Sequence, residues 1–279
     1  MQSVIPEILF ITVNYKNTAI TANFLTSLQQ LDLGERSAVV IVDNESTTSS
    51  QESLRELCGK IDLDTKIISS PKNRYYWGGA AHALQTLGLD YDNRPNWIIV
   101  CNNDILFKQS DLLLKLCELD PEEYPVLAPT IISTNSMKNL NPYMVRPIKT
   151  MAKLYYAMFF FNSVTGLLIY KFRKFLKNLL FVLSNTQNEH GRTIYAPHGA
   201  FIIFSNVFFQ KGGWLDDNLT MYGEEFTVAE IARRLQLPVH YRPDLEVMHV
   251  EHSSTKEQNW SQSFAAIKNA YYYVKREYL

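Results

Sequence analysis

Apolar residues in roughly the first hundred positions alternate between two spacings. Ile8–Val13 is an almost continuous apolar run, which is typical of a buried strand, and the apolar residues that follow recur every three or four positions, as on one face of a helix. This unit of strand and helix repeats up to residue 104. The predicted strands are Ile8–Val13, Ala38–Val42, Lys66–Ile68 and Trp97–Cys101; Ser50 is the predicted cap of the second helix, and the third helix is predicted to begin after Gly79.

Strands that alternate with helices imply right-handed crossovers, so the pattern predicts an α/β fold with a mostly parallel sheet and helices on both faces. We expect one domain over residues 1–279, with a first half 1–104 and a second half 105–279 that contains an insert at about 135–190. The later predicted elements are a helix from Ser110, strands at Val126–Ala128, Ala200–Phe204, Val239–Tyr241 and Glu246–His249, a helix at Glu225–Leu235 and a last helix that carries Trp260 to Val274.

Composition disfavours several classes of protein. The formal net charge of −1 argues against general nucleic-acid binding. The three cysteines form no CxxC pair, so neither a disulfide framework nor a zinc site is indicated, and a reducing compartment is favoured. The N-terminal residues lack a basic region before the first apolar run, so we expect no secretion signal and a cytoplasmic location.

Polar side chains follow the second and fourth predicted strands. Asp43 ends the second strand, and Asn102, Asn103 and Asp104 follow the fourth in the sequence WIIVCNND. Ligands of parallel α/β sheets bind beyond the carboxyl ends of the strands, where hard oxygen atoms can meet a divalent cation and the phosphates that it carries. An Asn or Asp at a strand end is also ordinary in turns. No GxGxxG, P-loop or GxSxG motif is present, which disfavours Rossmann dinucleotide binding and P-loop hydrolysis.

The order of these and later motifs resembles that of family 2 glycosyltransferases with the GT-A fold, especially rhamnosyltransferase-like bacterial enzymes that build surface polysaccharides. The resemblance implies a first half that binds a nucleotide sugar and a second half that binds the acceptor. The matching segments are ITVNYKN (11–17), VDNES (42–46), NRYYWGGAAH (73–82), CNND (101–104), HGAFIIFS (198–205), GWLDD (213–217), YGEE (222–225) and the late His249.

For the donor, the resemblance implies that Asp43 accepts the imide N–H of uracil or thymine, which favours a UDP- or dTDP-sugar. Val13 and Tyr15 would form the walls of the base pocket, and glycines near the ribose and pyrophosphate would permit close approach of the backbone. The alternatives are an Asx-turn at Asp43 and an ordinary helix start at the glycines. The remaining residues expected to bind the nucleotide sugar are Asn73, Gly78, Gly79, Asn103, Asp104 and Gly199.

For the metal, the resemblance places Asn102, Asn103 and Asp104 at the Asp-x-Asp motif of the family, so Asp104 would hold a Mg²⁺ or Mn²⁺ ion that bridges the donor phosphates. Asn102 offers a neutral carbonyl oxygen where relatives have an acid, which predicts weaker cation binding and leaves a metal-independent variant open. His249 is the further predicted ligand, in preference to His252.

For catalysis, the resemblance makes Glu225 the general base that deprotonates the acceptor hydroxyl in an inverting reaction, with Glu224 beside it. The alternative is that both carboxylates stabilise the N-terminus of a helix. Trp214, Asp216 and Asp217 are expected on the acceptor side.

Residues 124–188 contain eight basic and no acidic side chains. Leu154–Tyr170 carries no charge, but its 17 residues are at the short end of the length that a membrane span needs. The later segments must also return to the side of the donor site, so we do not expect this segment to span a membrane. Hydrophobic and basic residues then separate onto two faces of a predicted helix, so we expect residues 154–183 to contact an anionic membrane surface at the inner face of the plasma membrane. The alternative is a helical subdomain packed on the core or in a dimer interface.

Together these features predict a cytoplasmic, inverting glycosyltransferase that transfers a sugar from a UDP- or dTDP-sugar to a glycan or lipid-linked glycan. One alternative is a sugar-phosphate nucleotidyltransferase, which needs a glycine-rich basic loop after the first strand that Asn14–Asn17 does not supply. The other is a non-catalytic glycan-binding protein in which Asn102 marks a decayed metal site.

Overall fold

The computed structural model describes residues 6–31, 37–45, 47–89, 94–147, 172, 191–250 and 260–278. The strands are β1 Ile8–Asn14, β2 Ser37–Asn44, β3 Asp64–Ser70, β4 Trp97–Cys101, β5 Ile105–Leu106, β6 Val126–Ser133, β7 Arg192–Ile194, β8 Phe201–Ser205 and β9 Val239–His249. The helices are α1 Thr18–Gln29, α2 Thr48–Lys60, α3 Tyr75–Leu87, α4 Leu112–Cys117, α5 Asn206–Gln210, α6 Glu224–Arg234 and α7 Trp260–Glu277.

The described strands form a nine-stranded sheet in the order β3-β2-β1-β4-β8-β6-β9-β5, with β7 paired to β9. The first four strands in this order run parallel, as the alternation of strands and helices predicts. β1 is central to this half because it pairs with β2 on one side and with β4 on the other. The carboxyl ends of β2, β1 and β4 therefore meet at one edge of the sheet.

Helices cover both faces of the sheet because alternate residues of β1 enter two separate hydrophobic clusters. Leu9 and Ile11 belong to the cluster that contains side chains of α3 and α6. Ile8 and Phe10 belong to the cluster that contains side chains of α1 and α4. A central strand that is buried on both faces explains why Ile8–Val13 reads as a continuous apolar run rather than an alternating one.

The second half of the sheet is mixed in direction. β8 runs antiparallel to β4 and β6, whereas β6 and β9 are parallel. Val239–His249 is one strand instead of the two predicted, because a register shift between Pro129 and Thr130 of β6 accommodates the interruption. The two short strands β5 and β7 and the short helix α5 were not predicted, since two to five residues are too few for a periodic pattern.

Four helix starts differ from the predictions. α4 begins at Leu112, two residues after its predicted start at Ser110. Thr47 rather than Ser50 caps α2, because the Thr47 hydroxyl accepts a hydrogen bond from Ser50 N at 3.3 Å. α3 begins at Tyr75, so the glycine pair that was predicted to precede this helix lies inside it. α6 begins at Glu224, one residue before its predicted start.

Residues 148–171 and 173–190, which include most of the predicted insert and of the predicted membrane-contact segment, lie outside the described residues. His252 also lies outside them. In the part of the chain that the structure describes, no helix combines the length and the hydropathy that crossing a bilayer requires.

Candidate active site

A cavity of about 480 Å³ opens at the sheet edge where the carboxyl ends of β2, β1 and β4 meet. Parallel α/β sheets bind ligands at this edge. The walls come from both halves of the chain, so folding gathers side chains that are far apart in the sequence. Of the predicted site residues, the cavity is lined by Val13, Tyr15, Asn73, Asn102, Asn103, Asp104, Glu224 and His249.

The side chains of Asp104 and His249 meet in the cavity wall. β5 pairs with the end of β9 so that Ile105 is opposite His249, which brings the imidazole beside Asp104. His249 Nε2 lies 3.0 Å from Asp104 Oδ1, and Asn102 Nδ2 lies 3.5 Å from the same imidazole nitrogen. The short strand β5, which the sequence pattern did not predict, is therefore the element that brings together Asp104 and His249, two of the three predicted metal ligands.

This donor set fits a hard divalent cation. A carboxylate, an imidazole and an amide oxygen are ligands that Mg²⁺ or Mn²⁺ accepts, and phosphates and waters commonly complete such a shell. Asp104 and His249 could therefore hold the ion, and Asn102 could join them once its amide is turned so that Oδ1 replaces Nδ2 beside His249. Within the described residues, no group of three His, Cys, Asp or Glu side chains is placed to hold a metal.

Three hydrogen bonds between buried side chains connect β2 to the loop after β4. Asn103 Nδ2 donates to Thr21 Oγ1 at 2.9 Å, and the Thr21 hydroxyl donates to Asn14 Oδ1 at 2.8 Å. Asn14 Nδ2 then donates to Asp43 Oδ1 at 3.2 Å. We call this chain the Asp43 relay. Because β1 separates β2 from β4, Asp43 reaches the metal-side loop only through these intermediate side chains, and it lies fully buried behind the cavity wall.

Asn44, the last residue of β2, forms part of the cavity wall. Its Nδ2 donates to Asn73 Oδ1 and to Tyr75 O, both at 3.0 Å, and its Oδ1 accepts from Arg74 N at 2.9 Å. These bonds hold Tyr75 at a φ of 58°, and Tyr222 across the cavity has a φ of 61°. The left-handed region costs a non-glycine residue about 1–2 kcal/mol, and such strain concentrates at functional sites.

The predicted glycines serve different contacts. At Gly79 a Cβ atom would come 2.9 Å from Val13 Cγ2, so this glycine lets α3 pack closely on β1. Gly78 also lies in α3, where the nearest atom to an added Cβ would be 3.5 Å away. At Gly199 an added Cβ would come 2.6 Å from Glu224 Oε1. Gly199 is therefore the glycine whose missing side chain makes room for a carboxylate of the cavity.

Glu224 and Glu225 begin α6 at the cavity. Glu224 lines the cavity, whereas Glu225 lies behind the wall and accepts a hydrogen bond from Gly199 N at 3.4 Å. Burial, together with the neighbouring Glu225 carboxylate, raises the pKa of Glu224 to about 8. Burial also raises the pKa of Glu225, although backbone N–H groups partly oppose this shift. Two crowded carboxyl groups therefore retain a proton near neutral pH, and Glu224 is the one placed to exchange it with a bound molecule.

The segment 198–200, in which the sequence analysis named only Gly199 as a site residue, contributes further groups to the site. The His198 ring lines the cavity, and burial with the nearby His249 lowers the pKa of His198 to about 4. Tyr76 donates its hydroxyl proton to Gly199 O at 2.9 Å, and Asn102 N donates to Ala200 O at 2.9 Å. These residues belong to the HGAFIIFS segment that carries the family resemblance, and its position directly before the buried strand β8, at the same sheet edge as Asp104, is the signal that could have identified them.

The predicted acceptor-side residues separate into two groups. Asp216 is 3% exposed, and it accepts hydrogen bonds from the hydroxyls of Tyr273, at 3.0 and 2.8 Å, and of Tyr278. Burial and this carboxylate raise the pKa of Tyr273 to about 12. Asp216 therefore anchors the end of α7 to the loop before the cavity. Trp214 and Asp217 lie exposed on the same loop.

The strand order and the placement of the cavity at the carboxyl ends of the parallel strands are those of the GT-A fold. A mannosyltransferase from Pyrobaculum calidifontis, PcManGT, solved with GDP-Man and Mn²⁺, has a TM-score of 0.55 at 15% identity over 98% of this chain and 70% of its own. GalNAc-T7, solved with UDP, GalNAc and Mn²⁺, has a TM-score of 0.58 at 12% identity over 90% of this chain and 44% of its own. TarS of S. aureus has a TM-score of 0.56 at 13% identity over 88% of this chain and 36% of its own.

Comparison of the sequence with known families identifies the family of the chain. The family model described as glycosyl transferase family 2 matches residues 9–182, which is more than half of the chain, so the chain belongs to that family. The low-salt glycan biosynthesis hexosyltransferase Agl10 of Haloferax volcanii is 24% identical to it over 250 residues, which cover 89% of this chain and 68% of the relative. The predicted family, fold and enzyme class are thus confirmed.

Proposed function

We propose that this glycosyltransferase is an inverting hexosyltransferase that uses a UDP- or dTDP-sugar and a glycan or lipid-linked glycan acceptor. The observation that carries the proposal is the shared cavity of the Asp104–His249 pair and Glu224. The name of the relative Agl10, a hexosyltransferase of glycan biosynthesis, supports the choice of sugar and acceptor class. The rhamnosyltransferase-like subtype, a role in bacterial surface polysaccharides and a cytoplasmic, membrane-surface location through residues 154–183 remain predictions.

The proton-transfer step follows from the acidic pair. As the acceptor oxygen attacks the anomeric carbon, Glu224 takes the hydroxyl proton, the bond between that carbon and the donor diphosphate breaks, and the nucleoside diphosphate leaves. Attack opposite the leaving group inverts the anomeric configuration. We assign the base to Glu224 rather than to the predicted Glu225 because Glu224 lines the cavity and Glu225 is engaged by Gly199 N. Glu225 keeps the pKa of its neighbour high through its charge.

In the same cavity, Asp104, His249 and the amide oxygen of Asn102 would hold Mg²⁺ or Mn²⁺, which supplies Lewis-acid stabilisation of the leaving diphosphate when bound. The His249 side chain reaches this position from the last strand of the sheet, and its Nδ1 is buried with no hydrogen-bond partner among the described residues. The use of Mn²⁺ in the solved PcManGT and GalNAc-T7 structures supports this assignment.

For the nucleotide, we place the base between Val13 and Tyr15, since an apolar side chain and an exposed ring line that end of the cavity. Asp43 Oδ2 is buried and has no hydrogen-bond partner among the described residues. A pyrimidine imide N–H is the donor that this oxygen lacks, which supports UDP or dTDP. Contact requires the wall formed by Asn44 to move, because Asp43 is fully buried.

The proposal is tested by thermal shift with UDP, dTDP, GDP and ADP and their glucose conjugates, with and without MnCl₂. A ligand at a hundred times its Kd should stabilise the folded chain by about 2.7 kcal/mol. We expect UDP or dTDP compounds to stabilise most, and to do so more in MnCl₂ than in EDTA. Asp104→Asn is the matched variant, in which the manganese-dependent part should shrink.

Two results would contradict the proposal. Equal stabilisation by GDP or ADP compounds would remove the pyrimidine assignment at Asp43. Stabilisation by sugar nucleotides without any release of nucleoside diphosphate, under all metal conditions, would remove transfer from them as the function.

A further inference from the structure

The ring of His198 occupies a position between the two chemical groups of the cavity. Its centroid lies 6.2 Å from that of His249 and 5.7 Å from that of Tyr143, and both neighbouring rings meet it edge to face. The next residue, Gly199, contacts both carboxylates that begin α6. His198 is therefore beside the metal-side pair and beside the acidic pair at once, where a donor sugar and its diphosphate would lie.

The backbone fixes the protonation pattern of this ring. Ala200 N donates a hydrogen bond to His198 Nδ1 at 3.2 Å, so Nδ1 must present its lone pair. A neutral imidazole with an unprotonated Nδ1 carries its proton on Nε2, which makes Nε2–H a hydrogen-bond donor. Because Nδ1 is turned towards its own backbone and the ring lines the cavity, Nε2–H is the polar group left for a ligand.

The segment that carries the ring is held rigidly. His198 N donates to Asn141 Oδ1 at 2.8 Å, and Asn141 Nδ2 donates to Pro129 O in β6 at 2.8 Å. Asn141 is itself 3% exposed. Since loss of any of these bonds would leave a buried polar group unpaired, the loop cannot easily rotate the imidazole away. The donor group is thus pre-positioned before a ligand binds.

We propose that His198 is a donor-binding residue whose Nε2–H donates a hydrogen bond to an oxygen of the sugar nucleotide, on its diphosphate or on the transferred sugar. This inference rests on the proposed function. A fixed neutral donor complements the other polar groups here, since Asp104 and Glu224 offer oxygen atoms that accept hydrogen bonds when ionised. Removing one such pre-positioned donor typically lowers turnover about 10²–10³-fold.

Two amide substitutions separate the ring nitrogens. The amide nitrogen of His198→Gln reaches the position of Nε2, whereas the amide of His198→Asn reaches only the position of Nδ1, where its oxygen can still accept from Ala200 N. UDP and dTDP, each alone and as its glucose conjugate, are the probes for thermal shift, and release of the nucleoside diphosphate from the conjugate measures turnover. We expect the Gln variant to stay within about tenfold of wild type and the Asn variant to lose about 10²-fold.

The ligand pattern identifies the oxygen that His198 contacts. If the Asn variant loses stabilisation by the nucleoside diphosphate alone, the contact is to phosphate; if it loses only the additional stabilisation by the glucose conjugate, the contact is to the sugar. Wild-type turnover in the Asn variant, equal losses in both variants, or better retention by Asn than by Gln would each overturn the inference. In those cases the wild type still binds its nucleotide; absence of any nucleotide binding by the wild type would instead overturn the proposed function.

Discussion

Carboxylates are buried near the cavity with two contrasting sets of partners. In the Asp43 relay, the carboxylate is the last acceptor in a chain in which every intervening hydroxyl or amide has a matching partner. At the start of α6, two carboxylates lie side by side, and the pKa of each is raised. The carboxyl groups in the two places are buried to a similar extent, so their different hydrogen-bond and charge partners decide their roles. The Asp43 relay fixes the positions of the strand ends and of the loop after β4, whereas the acidic pair carries a proton that a substrate can exchange.

The largest effect should follow from removal of the carboxylate that faces the cavity. Glu224→Gln keeps the shape of the side chain but removes its basicity, so we expect turnover to fall about 10²–10⁴-fold. The Km for the sugar nucleotide should change little, because Glu224 acts on the acceptor hydroxyl. Initial rates of UDP or dTDP release, measured over a range of donor concentrations, separate these two constants.

Glu225→Gln is the matched control for that substitution. Its amide oxygen can still accept the hydrogen bond from Gly199 N, so the variant should fold normally and keep most of its activity. A larger loss of turnover in Glu225→Gln than in Glu224→Gln would restore the sequence-based assignment of Glu225 as the base. Equal, small losses would remove both residues from the proton transfer.

The pH dependence of turnover further distinguishes the role of Glu224 from that of Glu225. The carboxylate form of Glu224 is the active one, and its pKa is about 8, so the rate should rise with pH and level off above that value. Well below the plateau, each pH unit should change the rate about tenfold. Because the Glu225 charge contributes to the raised pKa, Glu225→Gln should move the rising limb to lower pH. A profile of kcat that is flat from about pH 6 to 9 would contradict this role.

The first half of the fold was predictable because its units are local. The run Ile8–Val13 and the strand Trp97–Cys101 each carry their own pattern, and the parallel order follows from the crossovers between them. The second half depends on pairings over long sequence distances. β5 has only two residues and forms a strand because it pairs with β9 at His249, so no local sequence pattern could reveal it.

The candidate site was predictable to the level of strand ends but not of side-chain direction. Asp43 lies at the carboxyl end of β2, one residue before its last residue, but its link to the loop after β4 passes through Thr21, a residue of α1 that an amphipathic pattern does not distinguish. Successive residues of a helix point in directions about 100° apart, so Glu224 and Glu225 cannot both face the cavity. Which of them does so is decided by the contact with Gly199, whose position in space the sequence does not give.

The smallest effect on turnover, but a clear one on folding, should come from breaking the Asp43 relay. Thr21→Val preserves shape and removes the hydroxyl, which leaves Asn103 Nδ2 and Asn14 Oδ1 without their partner in a fully buried position. We expect the free energy of unfolding, measured by urea denaturation, to fall by about 1–3 kcal/mol, whereas Thr21→Ser should retain most of it. For comparison, Glu224→Gln should not lower the free energy of unfolding at pH 8, because burial disfavours the ionised form of the Glu224 carboxyl group that the substitution removes. If Thr21→Val is as stable as Thr21→Ser, the relay does not hold the structure, and the distinction between the two buried acidic groups is lost.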